Sequence, residues 1–269
     1  MLHGVENWDD AYSNGANIPG GERWPAAWVE PARRFREGAD AVLDIAYGEH
    51  ERERLDLFRP AEGQAKGLVV FVHGGFWIRL DKSYWSHLAR GAVERGWAVA
   101  IPSYTLAPEA RVAAISRQVA RAVAHVAATV EGPVVLAGHS AGGQIVARLA
   151  CADDPAGLGA RLRRVVSISG LHDLRPLLNL AMNADIRLDA AEVARESPAL
   201  LSPVPGLELV CWVGAAERAE FVRQNDLLAN VWRGLGARTA SVHEPDRHHF
   251  SVIDGLARAD SPLVDALLR

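Results

Sequence analysis

A chain of 269 residues is long for one average domain but suits a single large α/β unit, which at that length buries about three-quarters of its unfolded surface. With 23% charged residues and a formal net charge of −4, it lacks the basic surplus that nucleic acid or anionic lipid would attract. The first ten residues carry neither a basic segment nor an apolar run, and no later stretch reaches the roughly 18 apolar residues of a membrane helix; the expectation is a soluble, cytoplasmic protein with no nucleic-acid or membrane partner.

Residues 1–41 are rich in Trp, Pro and Gly, among them Trp8, Tyr12, Trp24, Pro25 and Trp28, with one short helical stretch around residues 30–37. They read as an arm laid over a domain. Strand-like segments follow at 42–47 and 54–58; the second alternates Leu55 and Leu57 against Asp56 and Phe58, as a half-exposed antiparallel edge would. Five later segments, 68–72, 98–101, 134–137, 165–168 and 207–213, are short, β-branched and almost continuously apolar, the pattern of strands buried on both faces. Between them, Trp85, Leu88, Ala89, Ala92 and Val93, and then Ile115, Val119, Ala122, Val123 and Val126, recur at helical spacing. Strand alternating with helix predicts one α/β domain over residues 1–269, a mostly parallel central sheet with helices on both faces. Residues 172–203 break the rhythm with Leu, Ala, Asp and prolines and no clear strand, and are expected to form a small helical cap. A last strand near 239–243 and a closing helix over 251–268 complete the pattern. Cys151 falls in a predicted helix and Cys211 in a predicted core strand, so both are expected as buried free thiols.

The chemistry concentrates at Gly138-His139-Ser140-Ala141-Gly142-Gly143, directly after one apolar strand and directly before a helical segment. This is G-x-S-x-G in the context it requires: the chain turns so sharply that the Ser is held in a strained conformation with its hydroxyl exposed, and only glycines let the backbone pass so close. Ser140 is the candidate nucleophile. A second signal, His73-Gly74-Gly75-Phe76-Trp77, follows the first parallel strand, where an oxyanion loop belongs. The backbone N–H groups of Gly75 and Phe76, with that of Ala141, are the candidate donors, and Gly74 provides the close approach; one such donor is typically worth about 3 to 4 kcal/mol. His73 itself reads as a structural hydrogen-bonder.

A protonated serine is a poor nucleophile, so a base must follow late in the chain. His248 and His249 lie after the last strand, and His249, abutting Phe250 and the closing helix, is favoured. Glu217 is the first carboxylate in the loop after the strand at 207–213 and is the candidate acid; Asp173 is its rival, whereas Glu220 and Asp226 read as helix-surface charges. His50, His87, His125, His172 and His243 read as surface or packing residues. Trp77 and Tyr104 are candidate substrate-binding residues, in a wall with Phe76, Trp85, Trp24 and Trp28 that would accept an aryl group, although ordinary core packing accounts for at least half of these rings. The expected partner is a small-molecule substrate; no metal and no cofactor is expected, and a homodimer is left open.

The chain resembles the kynurenine formamidase (arylformamidase) group of α/β hydrolases. The matching pieces are Tyr47-Gly48, Leu55-Asp56-Leu57-Phe58, His73-Gly74-Gly75-Phe76-Trp77 with Asp81-Lys82, the Ser140 motif, Ser169-Gly170-Leu171-His172-Asp173-Leu174, Glu220-Phe221-Val222-Arg223-Gln224 and His249-Phe250, which span most of the chain. The resemblance implies the α/β-hydrolase fold, a triad on Ser140, Glu217 and His249, and conversion of N-formylkynurenine to kynurenine and formate. Two positions depart from the group: its acid is commonly Asp where this chain offers Glu217, and its Tyr is often where Phe76 stands. A carboxylesterase for small esters, using the same residues, is the alternative activity, and a catalytically silent binding protein on the same scaffold is the alternative of another class.

Overall fold

The computed structural model describes residues 4–153 and 155–269; residues 1–3 of the expected arm lie outside the described residues. Eight strands form one sheet in the order β1-β2-β4-β3-β5-β6-β7-β8. They are β1 (Ala41–Ala46), β2 (Arg54–Phe58), β3 (Leu68–Val72), β4 (Ala98–Pro102), β5 (Val134–His139), β6 (Leu162–Ile168), β7 (Glu208–Gly214) and β8 (Arg238–Glu244). Only β2 runs against the rest, pairing antiparallel with β1 and β4. β3 and β4, and most of β5, β6 and β7, are apolar because both faces of the sheet are covered. Val70, Leu136, Val165 and Leu209 pack one face under Ile115, Ile145 and Leu228, while their neighbours Val69, Val135 and Val166 pack the other under Trp28, Trp85 and Leu263.

The helices are α1 (Trp8–Tyr12), α2 (Asn14–Asn17), α3 (Trp24–Gly38), α4 (Arg90–Glu94), α5 (Val112–Ala127), α6 (Ala141–Leu149), α7 (Asn183–Ile186), α8 (Ala190–Glu196), α9 (Ala219–Gly234) and α10 (Pro262–Leu268). The spacing of Ile115, Val119, Ala122, Val123 and Val126 is borne out in α5, where all five are buried. Residues 172–203 hold α7, α8 and two short 3₁₀ turns, tied to the start of α5 where Arg111 and the Ala113 N–H bond to Glu192.

Four expectations need correction. β2 is not the half-exposed edge: β1 covers it, and Leu55, Asp56 and Phe58 are all fully buried. Asp56 tolerates this because its Oδ1 accepts from Lys82 Nζ at 2.7 Å and from the Asp44 N–H at 2.9 Å. The arm is more helical than expected, since α3 runs for 15 residues through Pro31. Pro25 suits its first turn, and burial of Trp28 and Ala32 outweighs the single backbone bond that Pro31 removes. The closing segment is a 3₁₀ turn, Asp254–Ala257, followed by the separate α10, because Pro262 and the Ser261 cap start a new helix. Cys151 lies just beyond α6 and bridges to Pro203; it and Cys211 are buried free thiols. Among the described residues no helix is long and apolar enough to cross a membrane.

Candidate active site

The loops that follow β3, β5, β7 and β8 meet at the carboxyl ends of the strands, where sheets of this kind leave a crevice. β5 ends at His139 and α6 begins at Ala141, leaving Ser140 at φ 56° and ψ −118°. A non-glycine residue there costs roughly 1 to 3 kcal/mol and persists only where its surroundings impose it. Here the Ser140 N–H donates to the Ile168 carbonyl at 2.8 Å and the Ser140 carbonyl accepts from the Gln144 N–H at 3.2 Å. The glycines are required by contact: a Cβ on Gly142 would run into the Val72 carbonyl, and one on Gly138 into the backbone of Gly142.

Ser140 is 2% exposed rather than open to solvent as expected; it is instead reached through a cavity of about 520 Å³ that it lines together with His139, His249, Gly75 and Phe76. His249 Nδ1 lies 2.7 Å from Glu217 Oε2, and the Glu217 side chain is fully buried. The other carboxylate oxygen accepts from Ser169 Oγ at 2.5 Å and from the Gly214 N–H at 2.8 Å. With Nδ1 donating to Glu217, the tautomer leaves Nε2 as an acceptor. The His249 ring is wedged between Phe221 and His139, at centroid distances of 4.5 and 4.6 Å. His139 Nε2 donates to the His249 carbonyl at 2.8 Å, and burial, with His249 adjacent, pushes the His139 pKa well below the ordinary value, so it remains a neutral donor. No hydrogen bond joins the Ser140 hydroxyl to His249 among the described residues; catalytic hydrogen bonds of this kind tighten in the Michaelis complex.

The loop after β3 crosses over the serine, for a Cβ on Gly74 would lie 3.0 Å from Ser140 Cβ. Gly75, Phe76 and Trp77 all take positive φ, at 117°, 51° and 60°, in a turn closed by the Ile78 N–H donating to the Gly75 carbonyl at 3.0 Å. The N–H groups of Gly75 and Phe76 have no acceptor among the described residues, and that of Ala141, the first residue of α6, lies outside the helix ladder. His73 anchors the loop: its Nδ1 donates to the Gly74 carbonyl at 2.7 Å, and its ring stacks on Tyr104 at 4.4 Å. Burial lowers its pKa to about 4 and keeps it neutral.

The structure thus gathers Ser140, Glu217, His249, Gly74, Gly75, Phe76 and Ala141 at one place. It does not bring the two expected substrate-binding residues there. Trp77 and Tyr104 are fully buried and line no part of the cavity: the positive φ at Trp77 turns its ring into the core, and the Tyr104 hydroxyl donates to the His73 carbonyl at 2.9 Å. Of the other rings, Phe76, Trp28 and Trp85 line the cavity, while Trp24 packs edge-on against His248. The rivals are engaged elsewhere. His248 Nδ1 accepts from the Phe250 N–H at 3.2 Å, and Asp173 is held by Arg175 at 2.8 and 2.9 Å.

Two features escaped sequence reasoning. Ser169 stands in the sequence only as part of a piece matching the family, although its hydroxyl braces Glu217. As one wall of the cavity, the arm adds Asp9, Tyr12, Asn14 and Pro25 beside the expected Trp28. It is docked on α9: the Tyr12 hydroxyl donates to Glu220 Oε2 at 2.8 Å and accepts from Gln224 Nε2 at 3.1 Å, and Asp10 pairs with Arg218. Glu220, expected as a surface charge, is therefore buried. A wider groove of about 850 Å³ runs along β7 and β8, but it contains none of the gathered residues, and its Glu208 is bound to Arg164 and Arg238.

The sequence pattern of the α/β-hydrolase fold matches residues 69–251, from β3 to just past His249. The chain belongs to the α/β-hydrolase-fold family. This hydrolase-fold chain resembles kynurenine formamidases along most of its length: it is 28% identical to that of Salmo salar, over 90% of this chain and 86% of the other, and 27% identical to that of Danio rerio, over 88% and 84%. Among solved structures, a candidate thioesterase from Silicibacter sp. TM1040 is 45% identical and superposes with a TM-score of 0.92, covering 99% of this chain and 100% of that one. An esterase from Pyrobaculum calidifontis, 18% identical with a TM-score of 0.71 over 91% of this chain and 88% of its own, shares the fold.

Proposed function

We infer that the protein is a serine hydrolase acting through an acyl-enzyme, and that its substrate is an aryl formamide, N-formylkynurenine, released as kynurenine and formate. The observation that carries this reading is the buried Glu217–His249 pair beside a serine held at a strained elbow, all on one cavity. Ser140 Oγ attacks the formyl carbon while His249 Nε2 takes its proton. The resulting oxyanion is met by the N–H groups of Gly75, Phe76 and Ala141. Collapse breaks the C–N bond, and the imidazolium returns its proton to the leaving aryl amine. Water, deprotonated by the same imidazole, then attacks the formyl ester; formate leaves and Ser140 recovers its proton. Glu217 accepts the other ring N–H and stabilises the imidazolium. Phe76, Trp28, Trp85 and Phe250 give the cavity flat apolar walls suited to the aryl ring.

A second reading, cleavage of small esters or thioesters by the same residues, is favoured by the 45% identity to the Silicibacter candidate thioesterase. Specificity constants for N-formylkynurenine, a short-chain aryl ester and a short-chain acyl thioester separate the two. The formamidase reading expects the formamide to be preferred by about tenfold or more; faster turnover of the ester or thioester replaces it with the second reading.

A further inference from the structure

Each of the two walls of the Ser140 cavity leaves a polar group without a partner. On the arm, Asn14 lines the cavity and is 5% exposed, yet its carboxamide makes no hydrogen bond among the described residues and its Nδ2 is shut off from solvent. Buried amides are almost always paired, and an unpaired one beside a binding cavity is a place where a ligand completes the bond. Arg79, which follows the oxyanion turn, also lines the cavity. Its guanidinium has no partner among the described residues, whereas Arg111, Arg148, Arg164 and Arg175 each hold a carboxylate. Asp9 and Glu22 lie on the same lining, Asp9 fixed by the Ala181 N–H at 2.8 Å.

We propose that Asn14 and Arg79 form a subsite for the carboxylate of an amino-acid-like leaving group. A guanidinium fork and a carboxamide donor together satisfy a carboxylate. The neighbouring Asp9 and Glu22 repel a polyanion and suit a ligand that also carries an ammonium. The subsite rests on the acyl-hydrolase reading of Ser140, and it selects the substrate on binding, so it acts chiefly on KM. Because Arg79 is exposed, the selection weakens as salt is raised.

The test uses the whole protein and two matched substrate pairs. One is N-formylkynurenine against N-formylkynuramine, which lacks only the carboxylate. The other is the acetyl ester of meta-hydroxyphenylpropanoic acid against the same ester with its acid converted to a primary amide. The expected result is a preference of about tenfold for the carboxylated member of each pair, expressed in KM. Arg79→Gln brings that ratio near unity, Arg79→Lys keeps most of it, and Asn14→Leu lowers it. Equal specificity constants within the pairs, or a preference untouched by Arg79→Gln, overturns the subsite. Discrimination within the ester pair without turnover of either formamide overturns the formamidase reading and keeps the subsite. Turnover of both formamides at equal KM does the reverse, and no turnover of any of the four compounds overturns both.

Discussion

The two walls of the cavity are built on different principles. The scaffold wall, comprising the elbow and the oxyanion turn, is shaped by backbone approaching backbone: Gly74 over Ser140, Gly142 under the Val72 carbonyl, Gly138 against Gly142. The arm wall is held by side chains bonding across the chain, Tyr12 to Glu220 and Gln224, and Asp10 to Arg218. Backbone contacts tolerate no substituent and fix reacting atoms within a fraction of an ångström; side-chain docking is adjustable and suits selection among substrates. On the proposed reading the first wall carries the chemistry, while recognition is shared between the arm and Arg79, which follows the oxyanion turn.

Substitutions on each wall can break that assignment. The largest effect is expected for His249→Ala, which removes the base: kcat falls by roughly 10⁴-fold in steady-state assays. A fall below about a hundredfold would return the role to His248. Next comes Ser169→Ala. It strips one of two hydrogen bonds from Glu217 Oε1 and leaves the Gly214 N–H alone. kcat should drop by about tenfold. The loss should fall on kcat with KM little changed, because Ser169 braces the Glu217 carboxylate and is not part of the cavity lining. An unchanged kcat would reduce Ser169 to a packing residue. The smallest effect belongs to the arm: Tyr12→Phe deletes its bonds to Glu220 and Gln224 and should raise KM by about threefold, with the change falling mainly on binding. A kcat loss as large as that of Ser169→Ala would move the arm into the catalytic wall.

The same contrast explains what could be read from the residues alone. β3 to β7 were legible because strands covered on both faces are almost continuously apolar, and the elbow was legible because its geometry demands glycine at particular offsets. The meeting of Glu217 with His249 followed from their order after β7 and β8. Trp28 and Trp85 on the cavity, against Trp77 and Tyr104 in the core, could not be told apart, since ring content does not say which way a loop turns. Only the positive φ at Trp77 decides that. Tyr12, Asn14 and Glu220 carry no local pattern, for their partners lie far away in the chain. Two prolines mark helix bounds that the spacing did not show: Pro31 lies inside a helix longer than the expected 30–37, which packing sustains, and Pro262 begins a helix where a continuous one was expected.

The central claim is that the Ser140 hydroxyl is made nucleophilic by the Glu217–His249 pair. Incubation with a fluorophosphonate, followed by peptide mass mapping, tests it most directly. The account predicts a single adduct on Ser140, absent in Ser140→Ala and formed far more slowly in His249→Ala. An unlabelled parent protein, an adduct on another residue, or labelling indifferent to the loss of His249 would contradict it.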